Sequence, residues 1–460
     1  MFRLRNFLFY YTIIFSATAR KNLLGSVRLR VRVSKVSTKL LMLIFTLNLF
    51  TVFGNSSCME KTQPEDIDYI ENGPNEQISN KVTPIILVPG DGGSQVQAKL
   101  NKPETVLYYC DKKTTEYFTL WLNLELLIPY LLNCWVDNMR LVYNNHTRTT
   151  TNSPGVDIII PGFGNTVSVE WLHPSHVSPS AYFTNIVEYV LPLGYSRGVN
   201  IQGAPYDFRK APNELQDYLK NVTNMLENTY YKTGNKKVLL ICHSLGCPVM
   251  LYMLNKQSQT WKDKHVKGLV SLGAPWGGVV KALKAFASGE NLGIFLVKPL
   301  TVRQEQRSCP SLAFLTPSDR FWSKSEVLVY TAKKNYTVGD YYEFFQDINF
   351  PTGWEMWKDT HNLTYDLEPP GVEVHCLHGS NVDTMESFSY AKDDFPDGQP
   401  TINYGNGDGT VNLRSLFGCL RWKRKQKHKV YHKVFMNMDH MDILHDPAVL
   451  EYIKNLIIEA

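Results

Sequence analysis

The sequence contains no repeat of 20–50 residues, no Gly-X-Y period and no sustained heptad, which excludes solenoids, collagen-like fibres and coiled coils. Its eight cysteines include no CxxC pair, which disfavours zinc ribbons and thioredoxin chemistry. It has no GxGxxG and no Walker lysine, so its glycine-rich segments do not point to a nucleotide. Its apolar runs are short: the longer of two near the N-terminus, Leu40–Phe53, falls below the roughly 20 residues of a membrane-spanning helix. Acidic residues are absent from residues 1–59, where nine of the 48 Lys and Arg lie. Beyond them 39 basic side chains face 43 acidic ones, so the formal charge of +5 belongs to the N-terminus and implies no nucleic-acid partner.

What is present describes a large globular chain. Hydrophobic residues make up 43% and aromatics 12%, enough for a thick core or a surface that meets lipid. Arg28, Arg30, Arg32, Lys35 and Lys39 precede Leu40–Phe53, and Gly54-Asn55-Ser56-Ser57 follows it. Residues 1–54 therefore read as a signal peptide, or as a retained signal anchor, behind a basic leader. Residues 55–83 are polar, with Pro64, Gly73 and Pro74, and read as a linker. Sequons stand at Asn55, Asn145, Asn221, Asn335 and Asn362, which agrees with passage through the secretory route. In that compartment some cysteines should pair.

From residue 84 onward, short apolar runs alternate with helical patterns, as expected for a parallel sheet covered on both faces. A buried strand feeding a tight loop is expected within Pro84–Gly93, and further strands at Lys237–Ile241, Val266–Leu272, Val327–Tyr330, Val372–Leu377 and Val430–Met436. Helices are expected at Tyr182–Leu191, Glu214–Tyr231 and Pro248–Gln257, while Ala287–Ser323 shows no clean period and reads as a loop.

The sharpest local signal is Cys242-His243-Ser244-Leu245-Gly246 between a strand and a helix. It approximates the G-x-S-x-G elbow, which pushes a serine out at the carboxyl end of a strand. The alternative is an ordinary strand–turn–helix with a serine at the helix cap. A nucleophilic serine needs a base and an orienting acid, and in this architecture they follow in the order acid, then histidine. His440, after the strand Val430–Met436, fits the base, with His375 and His378 as rivals. Asp408, in Gly405-Asn-Gly-Asp-Gly-Thr-Val411, fits the acid, although Asp-Gly is also a common turn. The oxyanion would be held by the backbone N–H of Leu245 and by that of Asp91, in the loop Pro89–Gly93.

With these pieces in place the chain resembles the lecithin–cholesterol acyltransferase family, most of all its lysosomal phospholipase A2 branch. The resemblance runs from about Pro84 to the C-terminus. It rests on segments such as IILVPGDGGSQ, YFTLWLNLELLIP, GAPYDFRKAPNE, HSLGCPVMLYML, WKDKHVKGLVSLGAPWGGV, RQEQRS, PPGVEVHCLHG and GDGTVNLRSL. It implies an α/β-hydrolase fold over residues 84–460 with the triad Ser244, Asp408 and His440. It also implies a membrane-binding insertion at about 110–150 and a lid at about 287–325. Lys281 and Thr410 match pocket positions, and the matching cysteines pair Cys110 with Cys134 and Cys376 with Cys419. Two departures stand out: Cys242 replaces a small residue, and Asn406 replaces an acid.

The expected activity is hydrolysis and transfer of glycerophospholipid acyl chains at a bilayer surface, to water or to a lipid alcohol such as ceramide. No metal or other cofactor is required, since a histidine activates the nucleophile. Anionic lipids are the expected surface, and a lysosome, or else secretion, the expected destination. The rivals are a secreted phosphatidylcholine–sterol acyltransferase and a lipid-binding protein on a dead scaffold. The apolar run is assigned to lipid contact, through Trp121, Leu122, Leu124, Leu126 and Leu127. Replacing Trp121 and Leu122 should then spare the fold.

Overall fold

The computed structural model describes residues 82–458. The leader, its apolar runs, nearly all of the linker and the sequon at Asn55 lie outside the described residues.

Six short strands form the central sheet: β1 (Ile85–Val88), β2 (Ile201–Gly203), β3 (Val238–His243), β4 (Val266–Leu272), β5 (Glu373–Ser380) and β6 (Val430–Met436). Their order is β6-β5-β4-β3-β1-β2, and every neighbouring pair is parallel. Parallel strands in mid-sheet are covered on both faces, so they are apolar without alternation. Every residue of β1 and β3 is buried accordingly. The chain runs from β1 outward to β2, then returns to place β3 on the other side of β1. That reversal makes the carboxyl ends of β1 and β3 a topological switch point, where α/β sheets bind ligands. Register levels those ends: Val88 pairs with Cys242, His243 with Leu272, and Leu272 with Leu377.

A second apolar core lies under a four-stranded sheet made of Asn335–Tyr336, Val329–Tyr330, Val382–Ser389 and Thr401–Gly407. It includes Phe286, Trp322, Phe344, Phe345 and Phe388. The expectation of a loop over Ala287–Ser323 is corrected here. The segment carries the helices Pro299–Arg307 and Pro310–Phe314, each started by a proline in its first turn. Their period was hidden because the first is mostly polar and buries only Val302, Glu305 and Gln306.

The run after Cys110 is also not one element. Phe118–Trp121 is a strand, and after a turn the chain enters the helix Leu132–Met139. The bridge Cys110–Cys134 ties the two ends of this excursion together, and Cys376–Cys419 ties β5 to the segment before β6.

Candidate active site

The elbow forms because β3 ends one residue before Ser244 and the helix Gly246–Asn255 begins two residues after it. Ser244 itself has φ of +51°, a left-handed conformation that costs a non-glycine residue of order 1–3 kcal/mol and is tolerated only where surroundings enforce it. Here they do. The Ser244 N–H donates to the Leu272 carbonyl at 3.0 Å, and its own carbonyl accepts from Cys247. Cys242 and Cys247, both fully buried, form a disulfide across the turn. This third bridge was not foreseen. Only five positions separate the two cysteines, and the turn at Ser244 folds them together.

Ser244, His440 and Asp408 come together. His440 Nε2 lies 3.0 Å from Ser244 Oγ, and His440 Nδ1 lies 2.8 Å from Asp408 Oδ2. Asp408 is fully buried, and its other carboxylate oxygen accepts the N–H groups of Val411 (2.7 Å) and Thr410 (3.1 Å). Those donors satisfy an oxygen that solvent does not reach. The acid follows the last strand of the second sheet, and its carbonyl accepts the His440 N–H at 2.7 Å, so two layers converge on one side chain. Gly273 is required beneath them. Its φ is +59°, and a Cβ there would come within 3.0 Å of His440 Nδ1 and 3.2 Å of Asp408 Oδ2. The rivals His375 and His378 are elsewhere: His375 meets Tyr452 and Glu373, and His378 meets His432.

The loop Pro89–Gly93 closes over the serine. A Cβ on Gly90 would lie 2.6 Å from Ser244 Cβ, so only glycine allows this approach. The next peptide carries the N–H of Asp91. Neither that N–H nor the N–H of Leu245 has an acceptor among the described residues, which leaves both for an oxyanion. His243 holds the arrangement together. Its Nε2–H donates to the His440 carbonyl at 3.0 Å, and its Nδ1 accepts the Tyr182 hydroxyl at 2.5 Å. The Tyr182 oxygen accepts the Gly90 N–H at 3.0 Å. One chain of bonds thus links the oxyanion loop to the base. Neither side chain's role is legible in the sequence, because their partners lie about 60 to 200 positions away in the chain.

Asp91 is exposed on one side, while protein crowds its carboxyl on the others. That burial raises its carboxyl to about 6, against the opposing pull of the Lys281 ammonium. Glu305, buried nearby, is pushed up to about 8 by burial and by the charge of Asp91. Lys281 opens the helix Lys281–Ser288 beside this loop, and Thr410 lies half-buried beside the acid.

The apolar run divides into two faces. Leu122 and Leu127 are buried, at 7% and 2% exposed, and Leu126 packs partly on the core. Trp121 lies tilted against Trp135 and edge-on to Phe208, and its indole N–H donates to the Gly92 carbonyl at 2.7 Å. Lipid contact is therefore corrected for Trp121, Leu122 and Leu127, which serve the core and the oxyanion loop; replacing the first two should cost stability. The outward face consists of Leu124, Ile128 and Tyr130, with Tyr108 beside it. Of the sequons within the described residues, Asn145, Asn221, Asn335 and Asn362 are all exposed.

The model of the lecithin:cholesterol acyltransferase family matches residues 117–447. The lysosomal phospholipase A and acyltransferase of Rattus norvegicus is 49% identical over 376 residues, covering 82% of this chain and 90% of its own length. The Homo sapiens protein of the same name is 47% identical over 375 residues, with 82% and 90% covered. The phosphatidylcholine-sterol acyltransferase of Homo sapiens is 38% identical over 388 residues, with 84% and 87% covered. A parallel α/β-hydrolase sheet, a serine elbow at its switch point and this extent of similarity lead to one conclusion: the chain belongs to the lecithin:cholesterol acyltransferase family.

Proposed function

We infer that the protein is a serine phospholipase A and O-acyltransferase acting on glycerophospholipids at a bilayer surface. The observation that carries this is the unbroken relay from Ser244 Oγ through His440 to buried Asp408, under a loop with free N–H donors. The names and identities of the relatives support the same activity.

Ser244 attacks the acyl carbonyl while His440 takes its proton. Asp408 keeps the imidazole in the tautomer that presents Nε2 to the serine, and stabilises the cation that forms. The N–H groups of Asp91 and Leu245 take the negative charge of the tetrahedral intermediate, aided by the N-terminus of the helix behind Ser244. His440 then protonates the departing lysophospholipid oxygen. The acyl-serine passes its chain to water or to a lipid alcohol, with His440 again as base.

Lys281 and Thr410 border the pocket in this reading, and Leu124, Ile128 and Tyr130 enter the headgroup region. Phe295, 94% exposed in the loop between the helices Lys281–Ser288 and Pro299–Arg307, would join them from the lid. Anionic lipid is the preferred surface, ceramide or water the acceptor, and the lysosome the destination within the secretory pathway. The test is turnover on anionic phospholipid vesicles containing ceramide and sterol, from pH 4 to 8. Free fatty acid and acylated ceramide are expected. Acyl transfer mainly to sterol would instead assign the protein to the activity of its sterol-acylating relatives.

A further inference from the structure

Residues 421–433, RWKRKQKHKVYHK, hold seven Lys and Arg, two His and no Asp or Glu, in a chain whose other residues beyond 59 carry a net negative charge. The segment runs from the short helix Phe417–Arg424 through a loop into β6, the open edge of the central sheet. Lys423, Arg424, Lys425, Lys427 and Lys429 are all exposed, and none of them has an acidic partner among the described residues. Only His428 meets a carboxylate, that of Asp263 at 3.3 Å. A lysine on an edge strand, such as Lys433, guards the edge against mispairing. The five cations that precede the strand are not explained in that way.

The backbone that carries them is fixed. Trp422 is fully buried, and its indole N–H donates to the Leu367 carbonyl at 2.8 Å. The Gln426 amide donates to the Val372 carbonyl at 2.8 Å and accepts the Gly371 N–H at 3.0 Å. The bridge Cys376–Cys419 fastens the start of the segment to β5. Cations on a loose segment would spread apart. Here the fold keeps like charges side by side, a repulsion that only a bound counter-charge relieves.

We propose that this segment docks a linear sulfated polysaccharide, a chain of the glycosaminoglycan type. Residues 423–429 include no apolar side chain, whereas a stable protein interface has a desolvated apolar centre. The segment enters β6 at its amino end, and His440 follows the carboxyl end, so seven residues, about 20 Å, separate the patch from the catalytic edge. The outward apolar face hangs from that catalytic edge through Trp121 and Gly92, so a bilayer engaging it leaves the patch at the far end of the sheet. A sulfated chain asks only for a fixed row of cations, which basic clusters of this kind supply. The inference goes beyond the lipid chemistry and rests only on the secretory route, where such chains are met.

The protein is recovered from the secretory pathway of a eukaryotic host, bound to immobilised heparin and eluted with salt. Lys423, Arg424, Lys425, Lys427 and Lys429 are changed together to Gln. A control variant changes the scattered exposed lysines Lys220, Lys232, Lys256, Lys333 and Lys392 to Gln. The patch variant should elute at about half the salt that the native protein needs, and the control close to the native value. Lysine acetylation of the native protein, read by peptide mass spectrometry, locates the contact. Saturating heparin should slow labelling of Lys423, Lys425, Lys427 and Lys429 at least about fivefold and leave the scattered lysines unchanged. Unsulfated hyaluronan should protect none of them. Equal elution of the patch variant and the native protein, an equal loss in the control, or equal protection by hyaluronan would overturn the proposal. So would loss of anionic vesicle binding in the patch variant, which would make the segment a bilayer contact. All three proteins should hydrolyse a soluble short-chain ester alike, which shows an intact fold. Heparin binding without any ester turnover would support the docking site and count against the esterase reading alone.

Discussion

The carboxyl edge of the central sheet and the Cys110–Cys134 excursion are both essential to a lipid-processing reading, yet different forces position them. At the sheet edge, backbone does most of the placing. Strand register levels the loops, peptide N–H groups hold Asp408, and close glycine contacts bring neighbouring loops against the serine and its base. In the excursion, side chains decide. Within a few residues Leu122 turns in and Leu124 turns out, and a disulfide ties the ends. The regions meet where the Trp121 indole grips the Gly92 carbonyl. Chemistry tolerates little motion, so it is built on ladders; interfacial binding needs only exposed apolar area, so it can hang from a loop.

Ser244→Ala gives the largest break. Hydrolysis and transfer should fall together by several orders of magnitude, because both pass through the acyl-serine. Product analysis of both reactions on the same vesicles checks this, and surviving transfer would exclude a shared intermediate.

The division of the excursion can be tested by contrasting two variants. Leu124→Ser with Ile128→Ser should weaken vesicle binding by roughly 10- to 100-fold, about 1.4–2.8 kcal/mol, while melting unchanged. Leu122→Ser should behave in the opposite way, losing about 2–5 kcal/mol of stability, as buried leucine truncations do. Sedimentation with vesicles and thermal melts separate them. If both variants lost only binding, the buried face would have been misplaced.

Tyr182→Phe probes the bond chain at the sheet edge. It leaves the Gly90 N–H and His243 Nδ1 without their partner, a cost of about 1–3 kcal/mol. Turnover of a soluble short-chain ester should drop by about tenfold with little change in KM.

Asp91 supplies a pH test. An ionised carboxylate beside the oxyanion opposes the charge that develops there, and the protein crowding this carboxyl raises it to about 6. Turnover should therefore decline as pH rises through about 6, and Asp91→Asn should flatten that limb. An unchanged profile would show that another group controls it.

The smallest effect concerns His378 and His432, whose Nε2 atoms are 2.8 Å apart on neighbouring strands β5 and β6. Burial, with His378 adding to it, lowers His432 from its ordinary value of 6.5 to about 4. As pH falls below 6.5 the unfolded chain takes the proton first, so stability declines until about pH 4. His432→Leu should remove this loss, raising the melting temperature at pH 5 more than at pH 7.5, by roughly one to three degrees.

Much of this protein could be read along the chain. β4 and β6 were legible to the residue, since runs such as Val266–Leu272 are short, β-branched and bounded by turns. The meeting of Ser244, Asp408 and His440 was legible because each follows a strand in a fixed order. The polar helix Pro299–Arg307 was not, and neither was the strand Val382–Ser389, whose Asp383 and Glu386 break the apolar pattern. Both are held by what packs on them, and local pattern does not report that.

The amino-acid sequence by itself determined which residues can react and the strands that carry them, because nucleophile, acid and base each need a particular side chain at a particular turn. Tertiary structure alone decided which leucines of one apolar run face solvent. It also decided that Tyr182 and His243 bridge the oxyanion loop to the base. Those outcomes depend on contacts between segments far apart in the chain, where burial and hydrogen-bond satisfaction are settled by the whole fold.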